Sequence, residues 1–116
     1  MIQLKPGTII FGLEPEMLLG LQIVASIFAD RKWDLMITSG LDGKHMTGSR
    51  HYAGQALDFR LPPGSEAFIV RQLSSALGSD FDVVLESDHI HVEFDKRGAR
   101  LINSAEAVVQ PVGKNA

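Results

Sequence analysis

Two short stretches, "ALDFRL" at 56–61 and "HIHVEF" at 89–94, alternate so regularly that each reads as a strand with two different faces. Leu57, Phe59 and Leu61 share one face of the first, and Ala56, Asp58 and Arg60 share the other. Ile90, Val92 and Phe94 share one face of the second, so His89, His91 and Glu93 point the opposite way. Strands of this kind build a sheet that packs one face on a core and keeps the other polar. The apolar face needs a cover, and residues 15–31 can supply one. There Met17, Leu18, Leu21, Ile23, Val24 and Ile27 recur at helical spacing, behind a Glu14-Pro15 start that suits the positive end of a helix dipole.

The remaining segments fill in around this pair. Pro6-Gly7 signals a turn, and the apolar run 8–11 suggests a short strand. "DLMITSG" reads as a strand ending at Ser39-Gly40. Pro62-Pro63-Gly64 stops the 56–61 strand. Ser65 can then cap a second helix reaching Leu77, with Phe68, Ile69, Leu73 and Leu77 as its buried side and Gly78 at its end. "FDVVLES" forms a further strand, joined to 89–94 by a tight turn near Ser87-Asp88. The expected fold is one α+β domain over 1–116, a small antiparallel sheet with helices packed on one face. The tail from about 103 is weakly patterned and suits a fraying end.

Composition removes several classes of function. With no cysteine, a thiolate metal cluster, a disulfide framework and a cysteine nucleophile are all out of reach. A net charge of -3, without a basic stripe, speaks against a nucleic-acid partner. "MLLGLQIVASIFA" is too short to cross a bilayer as a helix, so no membrane insertion is expected. The amino terminus lacks a basic start followed by an apolar run. It reads as cytoplasmic synthesis without a signal peptide.

The chemistry concentrates in two places. All four histidines, His45, His51, His89 and His91, fall in the glycine-rich loop "LDGKHMTGSRHYAG" or in the last hairpin, and none in an expected helix. If the 56–61 and 89–94 strands are neighbours, Asp58 and His91 point to the same side. Zinc accepts imidazole nitrogen and carboxylate oxygen, and catalytic zinc sites use three protein ligands. His51, Asp58 and His91 make such a set. A His-x-His pair on a strand is also common as plain polar surface, and spacing by itself leaves both readings open.

The stretch "SRHYAGQALDFR" resembles the zinc motif Ser-x-His-x-x-Gly-x-Ala-x-Asp of the D-alanyl-D-alanine metallopeptidases, a group that includes phage endolysins. It equally resembles the zinc-binding stretch of the hedgehog amino-terminal domain, which shares that fold. "LESDHIHVEF" is similar to the closing segment of the same superfamily. The likeness runs from about 36 to 94 and implies the hedgehog/D-Ala-D-Ala-peptidase type of fold, with His51, Asp58 and His91 as zinc ligands. It implies Asp88 as general base by the peptidase pattern, or Glu86 by the hedgehog pattern, with Asp88 slightly favoured. His45 and His89 match histidines beside the metal, placed either to donate to an oxyanion or to flank the cleft. Gly54 matches the turn glycine and Ala56 the small residue next to the metal.

Two departures stand out. No arginine follows Ser39-Gly40, where many of these peptidases carry one that holds substrate; Arg50 or Arg60 could stand in for it, and the sequence does not choose between them. Of the hedgehog acidic cluster only Asp42 remains, so calcium is not expected. The resemblance implies a Zn2+-dependent peptidase acting on peptidoglycan stem peptides, as a D-Ala-D-Ala carboxypeptidase or an L-Ala-D-Glu endopeptidase. An endolysin-like protein of phage or prophage origin would reach the cell wall through a separate pore. The rival expectation is a catalytically silent, zinc-stabilised binding module of the same fold.

Overall fold

The computed structural model describes residues 1–43 and 48–95. The elements run β1 (Ile2–Leu4), α1 (Pro15–Asp30), β2 (Leu35–Ser39), β3 (Ala56–Arg60), α2 (Ile69–Leu77), β4 (Phe81–Glu86) and β5 (His89–Phe94). They assemble an α+β fold of two helices and one five-stranded sheet in the order β1-β2-β3-β5-β4.

The sheet is mixed, not purely antiparallel as expected. β2, β3, β5 and β4 pair antiparallel, but β1 runs parallel to β2 with Gln3 opposite Met36. β1 escaped the sequence reading because it is three residues long and exposed throughout, so it carries no burial alternation. The strand expected at 8–11 does not form. Its backbone instead crosses to the 40–43 loop: Ile9 N–H donates to Asp42 Oδ1 at 2.7 Å, and Leu41 N–H donates to the Ile9 carbonyl at 2.8 Å.

α1 begins at Pro15 as expected, with the Glu14 carbonyl accepting from Met17 and Leu18 N–H. It buries Met17, Leu21, Val24 and Phe28, spaced four, three and four residues apart on one stripe. Lys32, at φ 60°, turns the chain out of the helix, and Trp33 N–H reaches back to the Phe28 carbonyl. α2 starts three residues later than a Ser65 cap would place it, with Phe68 in the cap position. Ser65 is fully buried, and its hydroxyl donates to the Pro62 carbonyl at 2.6 Å instead of capping the helix. A turn over 66–68 absorbs the difference.

Both helices pack on the same side of the sheet. Their stripes meet Leu35, Ile37, Leu57, Phe59, Ile90, Val92 and Phe94 in one apolar cluster. Burial of side chains of this size, each contributing about 1.5–3 kcal/mol, fixes which face of every strand looks inward. The register therefore also fixes the outward face. On it, Glu93 pairs with Ala56 and Asp82, His91 with Asp58 and Val84, and His89 with Arg60 and Glu86. Among the described residues no helix is long and apolar enough to cross a membrane.

Candidate metal centre

Asp58 lies at the centre of β3 and faces His91 directly across the β3–β5 ladder. The neighbouring β2 carries one extra residue between Ile37 and Ser39, a bulge beside Asp58. His51 arrives from the loop before β3. Its N–H is held by the Ser49 hydroxyl at 3.1 Å, and its carbonyl accepts from Gly54 N–H.

Gly54 makes this approach feasible. It sits at φ +73°, and a Cβ there would run into the Gly12 carbonyl oxygen. Its own carbonyl accepts from Glu14 N–H at 2.9 Å, tying the His51 turn to the start of α1. On the other side Arg50 bonds Gln55 Oε1 at 3.0 Å and Asp95 Oδ1 at 2.6 Å, which fastens the loop to the end of β5. Arg50 is thus engaged in holding the loop. Gly54 takes the turn position expected of it, and Ala56 is fully buried beside Glu93. Tyr52 is about half exposed.

These constraints bring ligand atoms of His51, Asp58 and His91 within 4.8 Å of one another. Asp58 Oδ1 lies 3.3 Å from His51 Nε2 and 2.9 Å from His91 Nδ1. The remaining ring nitrogens face acceptors: His51 Nδ1 stands 2.7 Å from the Gly40 carbonyl, and His91 Nε2 stands 2.9 Å from Glu93 Oε1. Each neutral imidazole then holds its proton on the outer nitrogen and aims a lone pair at the cluster. That is the arrangement by which outer hydrogen bonds orient metal-binding histidines. Two nitrogens and a carboxylate oxygen suit zinc, and this group could hold such an ion.

Without a cation, the same geometry favours protons. The Asp58 carboxylate pushes His91 up to about 9, although burial opposes this, and Glu93 adds to the rise. Burial would raise Asp58 itself, but hydrogen bonds from His51 and His91 hold it far below the usual carboxylate range.

The outer partners were not assigned a role from sequence. Glu93 was legible as sharing the His91 face, and a carboxylate two residues beyond a ligand on one strand face is the signal that could have marked it. The Gly40 carbonyl belongs to the backbone and leaves no side-chain signal. Gly40 is fixed by its own N–H, which donates to Asp42 Oδ1 at 2.8 Å. Asp42 therefore organises the loop.

The other expected residues group around His89. Its Nε2 lies 3.0 Å from Glu86 Oε1 and 3.9 Å from Asp58 Oδ2. Its Nδ1 lies 3.3 Å from Asp88 Oδ1, and that hydrogen bond holds Asp88 below its ordinary value. Asp88 is almost fully exposed at 96%, at the tip of the hairpin turn, whereas Glu86 and Asp58 converge on one and the same nitrogen. His45 and the tail from 103 lie outside the described residues. Comparison of the chain with protein-family models, curated proteins and solved structures finds no match.

Proposed function

We propose that the protein is a zinc peptidase that hydrolyses peptidoglycan stem peptides, of the D-Ala-D-Ala metallopeptidase and hedgehog type and of phage or prophage origin. The observation that carries this reading is the pair of oriented imidazoles: His51 and His91 each place one nitrogen at Asp58 while the other nitrogen meets an oxygen acceptor. Bound there, zinc would supply a Lewis acid for the scissile carbonyl and a more acidic water.

The chain's own residues do the rest. His51, Asp58 and His91 would hold the ion, and the Gly40 carbonyl and Glu93 set the ring orientation. We assign proton acceptance to Glu86 over Asp88, because Glu86 shares His89 Nε2 with Asp58 while Asp88 meets the far side of that ring. His89 stands between Glu86 and the cluster, placed to steady the acid or to donate to a developing oxyanion. Among the described residues both helices pack on the apolar face of the sheet, opposite the cluster.

The test is a muropeptide digest with zinc-loaded protein. The reading expects new amino groups released from peptidoglycan, and none from Asp58→Ala. The silent binding module draws on one specific observation: neither Glu86 nor Asp88 touches the ligand cluster directly, each meeting it through His89. Stoichiometric zinc with every muropeptide left intact would decide for that module.

A further inference from the structure

Helix α1 is uncharged nearly all the way round: between Glu16 and Asp30 it carries no charged residue. Its inward stripe is the core of Met17, Leu21, Val24 and Phe28. The opposite face holds Leu18, Leu19, Gln22, Ser26 and Ala29, all exposed, the two leucines at 46% and 57%. A surface helix ordinarily presents charge on that face, and an apolar patch there marks a surface that another molecule covers. Towards its C-terminal end, α1 shares with α2 a groove of about 530 Å³, lined among others by Ile27, Arg31, Phe68, Arg71 and Ser75. No carboxylate lines it. The Arg31 guanidinium lies 4.5 Å from the Phe68 ring centre and 5.3 Å from that of Trp33, which holds it at the groove wall.

The charges at the two ends of α1 are opposite. Glu14 and Glu16 stand at its start, Arg31 and Arg71 at the groove beside its end, and none of the four enters an ion pair among the described residues. Asp30 lies at the same end but does not line the groove, and Lys32 offsets it. Glu16 and Arg31 are about 22 Å apart along the axis. A second α1 laid antiparallel on the first, about a two-fold axis near Gln22, sets Leu18 of each copy opposite Ile27 of the other and Glu14 opposite Arg31. Contact at one end then imposes the same contact at the other, so the pair closes on itself. The helix dipoles oppose one another as well. A parallel pair would set glutamate on glutamate and arginine on arginine.

We propose that the chain forms a two-fold dimer through the outer face of α1. The leucines of each copy lie against α1 and the groove mouth of the other, and Glu14 and Glu16 of each copy meet Arg31 and Arg71 of the other. Both helices pack on the apolar face of the sheet, whereas the candidate metal centre lies on the opposite face, so the dimer leaves both centres open. The inference is independent of the peptidase reading.

Sedimentation velocity of the full chain over about two decades of concentration is expected to carry it from one chain mass to two. Leu19→Lys, at an exposed position outside the core, should stay at one chain mass throughout and melt like the dilute parent. Glu16→Arg and Arg71→Glu should each weaken association about tenfold or more, and the double variant should recover most of that loss. The chain has no cysteine, so Gln22→Cys introduces a single thiol beside the axis. Oxidised by air with copper phenanthroline, it should give a linked dimer far faster than Gln3→Cys on β1. A parent that stays at one chain mass, association that Leu19→Lys leaves intact, no recovery in the double variant, or equal linking of the two thiols overturns the proposal. Should Leu19→Lys melt early, Leu19→Ser and the charge exchange carry the test unaided.

Discussion

His91 faces Asp58 across the β3–β5 ladder with Nδ1 2.9 Å from Oδ1, so a proton and a metal ion compete for the same position. Asp58 raises His91 from 6.5 to about 9. A raised folded-state value means that the pair's contribution to metal-free stability is complete below about 6.5 and is lost as pH rises through about 9. Metal-free protein should thus melt at lower temperature at pH 9.5 than at pH 6.5. Zinc must displace that proton, so zinc affinity should climb with pH over the same window, by up to about tenfold per unit. Titration calorimetry at pH 7 in two buffers of different ionisation enthalpy should show about one proton released per zinc. No release would mean that His91 is not a ligand.

The acid limb runs the other way. Asp58 is held well below its ordinary 3.8, so its contribution is present above that value and is lost only as pH falls through the depressed folded-state value. Asp58→Asn removes this term and the anionic ligand together. Zinc stoichiometry in the variant is expected to fall from one to near zero in equilibrium dialysis, and its acid unfolding curve should be flatter than the parent's.

Glu93 is held to its role by His91 Nε2 at 2.9 Å. Glu93→Ala leaves the three ligands in place but frees the ring, and outer partners of this kind are worth about 10–100-fold in metal affinity. Competition with a chromophoric chelator measures the loss. Glu93→Gln retains an acceptor oxygen and should lose less. Equal zinc affinity in all three proteins would show that the ring is held by something else.

For turnover, Glu86→Gln should cut the rate of muropeptide cleavage by about 10²-fold or more with zinc still bound, as removal of a positioned proton acceptor does. Asp88→Asn, at the exposed tip of the hairpin, should cost far less. The reverse order would return the role to Asp88.

The polar face of β3 and β5 was legible because its opposite face is strictly apolar. Once Leu57, Phe59, Ile90 and Val92 are buried, Asp58, His91 and Glu93 have nowhere else to point. The helix at 15 was legible for the same reason, through its stripe. What the sequence did not disclose lacks that kind of periodicity. β1 is three exposed residues, the bulge in β2 is a matter of register, and the Gly40 carbonyl that orients His51 is main chain. Ser65 looked like a helix cap because serine before an apolar stripe usually is one. Here the preceding Pro62 carbonyl competes for the hydroxyl and wins.

The loop glycines separate conformational strain from site geometry. Gly48 and Gly54 both sit at positive φ, +83° and +73°. A Cβ at Gly48 meets nothing within 4 Å among the described residues, so Gly48→Ala should cost only backbone strain, about 1–2 kcal/mol. At Gly54 the same methyl group also collides with the Gly12 carbonyl, on the segment that leads into α1. The Gly54–Glu14 hydrogen bond must then stretch, and the turn carrying His51 moves with it. Gly54→Ala is therefore expected to lose roughly 2–5 kcal/mol in urea unfolding. It should also weaken zinc binding, which Gly48→Ala should leave intact. Comparable zinc affinity in the two variants would mean that His51 reaches Asp58 without help from the Gly54 turn.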